Sequence, residues 1–184
     1  MISVEPVACP FKILVDTAEG QPFTFDNINS DSKDDFRPIA ITTEFRCLGR
    51  FPNGRGDYSI DGMSFQIGIE RKSVEDLWGT LLGWETDYQR ERGGTGRRDR
   101  FKKELENLEK LESALVVVEA SLASCLEQVP EWGERPAEHN RKTLNRTIIS
   151  MMQSYRVPWL FCDSRRLAEV ETFRWLDRYY RKHI

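Results

Sequence analysis

The sequence is poor in the residues that several familiar chemistries need. Only two histidines occur, His139 and His183, so catalysis by paired imidazoles and histidine-rich metal sites are both unsupported. The four cysteines, Cys9, Cys47, Cys125 and Cys162, are scattered and form no CxxC pair, which argues against a zinc ribbon and a disulfide framework. Cys162 follows the apolar run VPWLF and reads as a small buried residue, not as a nucleophile. No apolar run approaches the roughly 20 residues of a membrane helix. The opening MISVEPVACPFKILVD lacks the basic segment and long apolar stretch of a secretory signal. The expected setting is cytoplasmic, nucleoid-associated in a prokaryote or phage and nuclear in a eukaryote. There is no overall positive charge either: the net charge is -3, so composition alone does not point to nucleic acid. Any metal in such a chain has to be held by carboxylates.

What is present fits one soluble domain over 1–184, with 39% hydrophobic and 31% charged residues. The charge is uneven. RERGGTGRRDRFKK, from Arg90 to Lys103, sets seven basic residues against two acidic ones. Its glycines predict a mobile basic loop at about 85–99. Arg97, Arg98 and Arg100 are its candidate phosphate contacts, although a merely solvated loop has the same composition.

FKILVD (11–16) reads as a buried strand ending in an acid, and IAITTEFRCL (39–48) as a second strand rich in β-branched residues. GDYSIDGMSFQIGIERK (56–72) reads as a hairpin turning near Asp61 and Gly62. A helix capped by Ser73 is expected to run to about Leu82, since SVED places an acid three residues after the serine. Phe101, Leu105, Leu108 and Leu111 recur at helical spacing. ALVVVEA is a strand buried on both faces, PEWGERPAEHN a loop, RKTLNRTIISMMQSY a helix, VPWLFC a strand and SRRLAEVETFRWLDRYYRKH a closing helix. Phe173, Trp175, Tyr179 and Tyr180 in that last helix read as core or interface, not as a platform for bases. The sum is an α/β domain, a mixed central sheet flanked by helices on both faces.

Side chains alternate along a strand, so Glu70 and Lys72 share one face while Ile67, Ile69 and Arg71 share the other. A hairpin loop with an even number of residues puts Asp57 on the face of Glu70. A two-residue loop sets it opposite Gln66 or Gly68. A four-residue loop, Gly62–Phe65, sets it across from Glu70, where opposed Cβ atoms lie roughly 5 Å apart. The longer loop or a bulge is favoured, because only then do both carboxylates reach one ion. Two carboxylates, a carbonyl and waters suit Mg²⁺, which activates water for attack on a phosphodiester. Lys72 is placed to orient that water or offset developing charge. Asp16 and Glu19 are candidates for a third acidic contribution. Glu119, at the end of a buried strand, is more simply a structural acid. A surface ion cluster is the plain alternative for the whole set.

At these residues the sequence resembles the XPF-type structure-specific endonuclease family, whose nuclease domain has a restriction-endonuclease-like fold and a GD…ERKxxxD signature. The match is Gly56-Asp57, Glu70-Arg71-Lys72 and Asp76, with VDTAE (15–19) resembling the strand-end acid motif and LVVVEA (115–120) a later buried strand. Ala18 stands where the family often has arginine. The resemblance implies a metal-dependent DNA endonuclease of repair or recombination acting on branched, flap or fork DNA. Its catalytic residues would be Asp16, Asp57, Glu70 and Lys72. Mg²⁺, or Mn²⁺ in its place, would be held by Asp57, Glu70, the Arg71 carbonyl and Asp16, with Glu19 and Asp76 in support. It also implies a homodimer. The tandem helix-hairpin-helix module that binds DNA in many relatives is not among these residues. A non-catalytic DNA-binding or scaffold subunit of a nuclease complex is the second reading.

Overall fold

In the central strands, alternate side chains feed two separate cores. The computed structural model describes residues 5–30, 36–49, 54–84, 96–131 and 134–184. Its strands are β1 (Val7–Asp16), β2 (Ile39–Arg46), β3 (Tyr58–Ile60), β4 (Ile67–Lys72), β5 (Ser113–Val118) and β6 (Trp159–Phe161), in the sheet order β2-β1-β3-β4-β5-β6. The helices are α1 (Val74–Leu81), α2 (Arg97–Leu108), α3 (Leu122–Glu127), α4 (Ala137–Tyr155) and α5 (Arg165–His183).

Ile13, Val15, Tyr58, Ile69, Leu115 and Val117 pack with Phe173, Leu176 and Tyr179 of α5. Val116 and Val118 point the other way, against Leu77 and Leu81 of α1, Phe101 and Leu105 of α2, and Leu144 and Ile148 of α4. The five-residue apolar run of β5 is thus buried on both faces, as its composition predicts.

The pairs β1–β2, β4–β5 and β5–β6 are parallel, while β3 runs antiparallel to both β1 and β4. The carboxyl ends of β1, β4 and β5 therefore meet the start of β3 at one end of the sheet. In α/β sheets this is the end where ligands bind.

Local signals set most boundaries. The side chain of Ser73 accepts from the Asp76 N–H, and α1 starts at the next residue. Ser164 does the same for α5 through the Leu167 N–H. Three expectations are corrected. Leu111 lies beyond α2 and packs on the second core from the following turn. Ala137–Asn140 belong to α4 and not to a loop, and buried Asn140 donates to the Pro130 carbonyl at 2.9 Å. The short helix α3, capped by Ser121, had no counterpart in the sequence reading because six residues carry too little periodicity. Within the expected basic loop the helix takes over at Arg97, while 85–95 lie outside the described residues.

Candidate active site

Tyr58 pairs with Ile69 on one side and with Val15 on the other. Continuing this row by one residue sets Asp16, Asp57 and Glu70 beside one another on three neighbouring strands, the register that the four-residue loop requires. The ladder then departs from regularity. The Asp57 N–H donates to the Ile69 carbonyl at 2.7 Å, and the Arg71 N–H donates to Asp57 Oδ2 at 2.7 Å, so a carboxylate replaces a backbone acceptor.

Two glycines permit this crossing. Gly56 has φ +88°, and a Cβ there would lie 2.6 Å from the Ile69 carbonyl oxygen. The Arg55 carbonyl passes over Gly68, where any side chain would collide with it. The chain before β3 folds across β4, and this holds Asp57 against Glu70.

Asp57 and Glu70 line one cavity of about 480 Å³ together with Asp16 from β1 and Glu104 from α2. Lys72 reaches this face as alternation predicts. Its Nζ donates to Glu70 Oε1 at 2.6 Å and lies 4.7 Å from the centroid of the Phe101 ring. Burial and then the charge of Glu70 push the Asp57 carboxyl well above the usual carboxylate range, against the pull of Lys72 and the Arg71 N–H. Burial and then Glu70 also push Glu104 up to about 7. Burial disfavours the Lys72 ammonium, but Glu70, Glu104 and Asp57 outweigh it, and the lysine stays charged. Four acids line this space, and the Lys72 ammonium bonded to Glu70 and the weaker pull of Arg100 do not offset them.

Asp16 reaches the same cavity with both carboxylate oxygens engaged by backbone donors. Its Oδ1 accepts from the Ala18 N–H at 2.7 Å and its Oδ2 from the Leu48 N–H at 2.8 Å, tying β1 to the loops beyond it. Glu19 is not at the cavity. Its Oε1 accepts from Arg71 Nη1 at 3.0 Å on the opposite face of the sheet. The Arg71 side chain is buried there and also donates from Nε to Glu119 Oε1 at 2.7 Å.

Asp76 binds Arg97 Nη2 at 2.8 Å, clamping α1 to α2, so Asp76 and Arg97 form a bridge between helices. Arg97, Arg98 and Arg100 stand on the first turn of α2.

Glu104 escaped the sequence reading. It lies three residues after Phe101 and four before Leu108, on the helix's apolar stripe, and that misplaced acid was the available signal.

The donor set suits a hard divalent ion. All donors are oxygens, and the acids outnumber the cations Lys72 and Arg100 near them in a space where burial already raises two of their carboxyls. Among the described residues no three acidic, histidine or cysteine side chains come close enough to hold an ion by themselves. The fit is therefore to Asp57 and Glu70 with backbone and water oxygens completing the shell.

No family model matches the chain, and no curated protein matches it. Solved structures do, among them two of XPF. XPF from Aeropyrum pernix in complex with DNA superposes with a TM-score of 0.53 at 16% identity, over 94% of this chain and 66% of that one. XPF from Aeropyrum pernix alone gives 0.54 at 15% identity, over 93% of this chain and 66% of that one. This chain thus spans just under two thirds of their length. The fold expected from the motif resemblance, that of the XPF-type nuclease domain, is the fold this chain has.

Proposed function

We propose that this domain is a metal-dependent DNA endonuclease that hydrolyses phosphodiester bonds, with branched, flap or fork DNA as its substrate class and repair or recombination as its setting. The observation that carries the reading is the row formed by Asp57 and Glu70 on adjacent strands, with Lys72 hydrogen-bonded to Glu70, at the carboxyl end of the sheet. One of the XPF structures with the same fold was solved in complex with DNA, which supports DNA as the substrate but not its branched form.

Asp57, Glu70 and the Arg71 carbonyl are the groups that would hold Mg²⁺ or Mn²⁺. A bound ion supplies Lewis acidity and a water of lowered pKa. The chain's own residues do the rest. The Arg71 N–H fixes one oxygen of the Asp57 carboxylate, and Asp57 lines the cavity. Glu70 holds the Lys72 ammonium, whose remaining N–H donors are placed for a phosphoryl oxygen or the attacking water. Phe101 closes one side of that ammonium against solvent. Arg98 and Arg100, on the helix that carries Glu104, supply cationic contacts for DNA phosphates, which makes binding salt-dependent. A homodimer belongs to the same reading, and equilibrium sedimentation showing only monomer would remove it.

The test is cleavage of end-labelled single-stranded, duplex, flap and fork DNA in Mg²⁺ or EDTA by wild type, Asp57→Ala and Lys72→Ala. Cutting that needs Mg²⁺, is lost in both variants and prefers a junction is expected. DNA binding without cutting by any form would refute the enzyme and favour a scaffold subunit.

A further inference from the structure

We propose that Glu104 of α2 is the third acid of the cation site, acting through a coordinated water on the ion that Asp57 and Glu70 bind and thereby setting its affinity. The inference rests on the metal-dependent reading above and adds a residue from a different element.

Glu104 occupies the stripe of α2 that is otherwise apolar, between the buried side chains of Phe101, Leu105 and Leu108. A half-buried carboxylate in such a place normally finds a donor. Glu104 accepts no hydrogen bond among the described residues; the Lys72 ammonium donates to Glu70, and the attraction of Lys72 and Arg100 is outweighed by burial and Glu70. Its carboxylate lines the same cavity as Asp57 and Glu70 and is close enough to Glu70 for repulsion between them to matter.

An acid kept there without a hydrogen-bond donor destabilises the empty site and is relieved by a cation. Since no three side chains converge closely enough for direct ligation among the described residues, the link runs through a water on the ion. Such outer partners typically change metal affinity 10–100-fold.

The experiment is calorimetric titration of Mg²⁺ and Mn²⁺ into the full chain as wild type, Glu104→Gln, Asp57→Asn and Glu106→Gln. Glu106 lies on the same helix, paired with Lys103 away from the cavity, and serves as the control. Glu104→Gln is expected to weaken binding about 10-fold, while melting no lower than wild type in EDTA. Asp57→Asn is expected to abolish saturable binding and Glu106→Gln to match wild type. Wild-type affinity in Glu104→Gln with binding lost in Asp57→Asn would overturn this inference alone and leave Glu104 as a counter-charge to Lys72. Absence of saturable binding by the wild type would overturn the metal-dependent reading and this inference together.

Discussion

Glu70, Arg71 and Lys72 are consecutive, yet they serve two different kinds of charged cluster on opposite faces of one strand end. On one face Arg71 donates to Glu19 and Glu119, and Arg165 donates to Glu119 at 2.6 Å and to the Gln21 carbonyl at 2.7 Å. The Phe23 ring lies 5.5 Å from the Arg71 guanidinium and 5.0 Å from that of Arg165. Two cations answer two anions, and the network ties β4 to the segment after β1, the end of β5 and the start of α5. On the other face Asp57, Glu70 and Glu104 confront the Lys72 ammonium, with Arg100 a lesser attraction on Glu104, and burial and mutual repulsion outweigh both. A balanced, hydrogen-bonded cluster holds structure together. An unbalanced one, with the Asp57 and Glu104 carboxyls raised out of their ordinary range, has the electrostatics that ligand sites commonly show.

Removing a cation from the balanced face should have the largest effect. Arg71→Met leaves Glu19 and Glu119 buried with too few donors and is expected to cost about 3–5 kcal/mol, read from the urea midpoint at constant slope. A loss below about 1 kcal/mol would place that cluster with ordinary surface pairs. On the unbalanced face, Lys72→Met also takes the donor from buried Glu70 and so costs stability too, but its distinguishing effect should be a cleavage rate about 10²–10³-fold lower, measured under single-turnover conditions at a temperature where the variant is folded.

Next in size is a pH effect. Glu104 titrates near 7 in the fold against an ordinary 4.5. Its contribution to stability is therefore fully present below pH 4.5 and is lost as pH rises through 7. In EDTA, wild type should lose about 2–3 kcal/mol relative to Glu104→Gln across that window. Parallel pH profiles for the two proteins would show that the acid is not strained. Smallest of all, Asp76→Asn breaks only the partly exposed bridge to Arg97 and should cost less than about 1 kcal/mol. A cleavage defect out of proportion to that loss would return Asp76 to the chemistry.

Local rules made one face of this comparison legible in the sequence and left the other hidden. Alternation along β4 places Glu70 and Lys72 together, and the parity of the hairpin connection adds Asp57, since both depend only on neighbours in the chain. The Ser73 cap and the doubly buried β5 follow from equally local signals. The Arg71 network could not be read in this way, because Glu19, Glu119 and Arg165 come from segments that only the sheet order brings together. β3 lies between β1 and β4, and no periodicity specifies that insertion. Asp16 shows the limit from the opposite side. It stands at the expected strand end, but the loop containing Leu48 supplies an N–H that occupies its second oxygen. Glu104 was visible only as an acid on an apolar stripe, a conflict of pattern whose meaning depends on what α2 packs against.

The central claim is that the excess acid beside Lys72 is a cation site. Its most direct test is anomalous diffraction from crystals of this chain soaked in Mn²⁺. The account predicts a peak between Asp57 and Glu70, with Lys72 displaced from Glu70 or sharing it, and no density at Glu19 and Glu119. A site that stays empty at saturating Mn²⁺, or a peak on the Arg71 face, would contradict it.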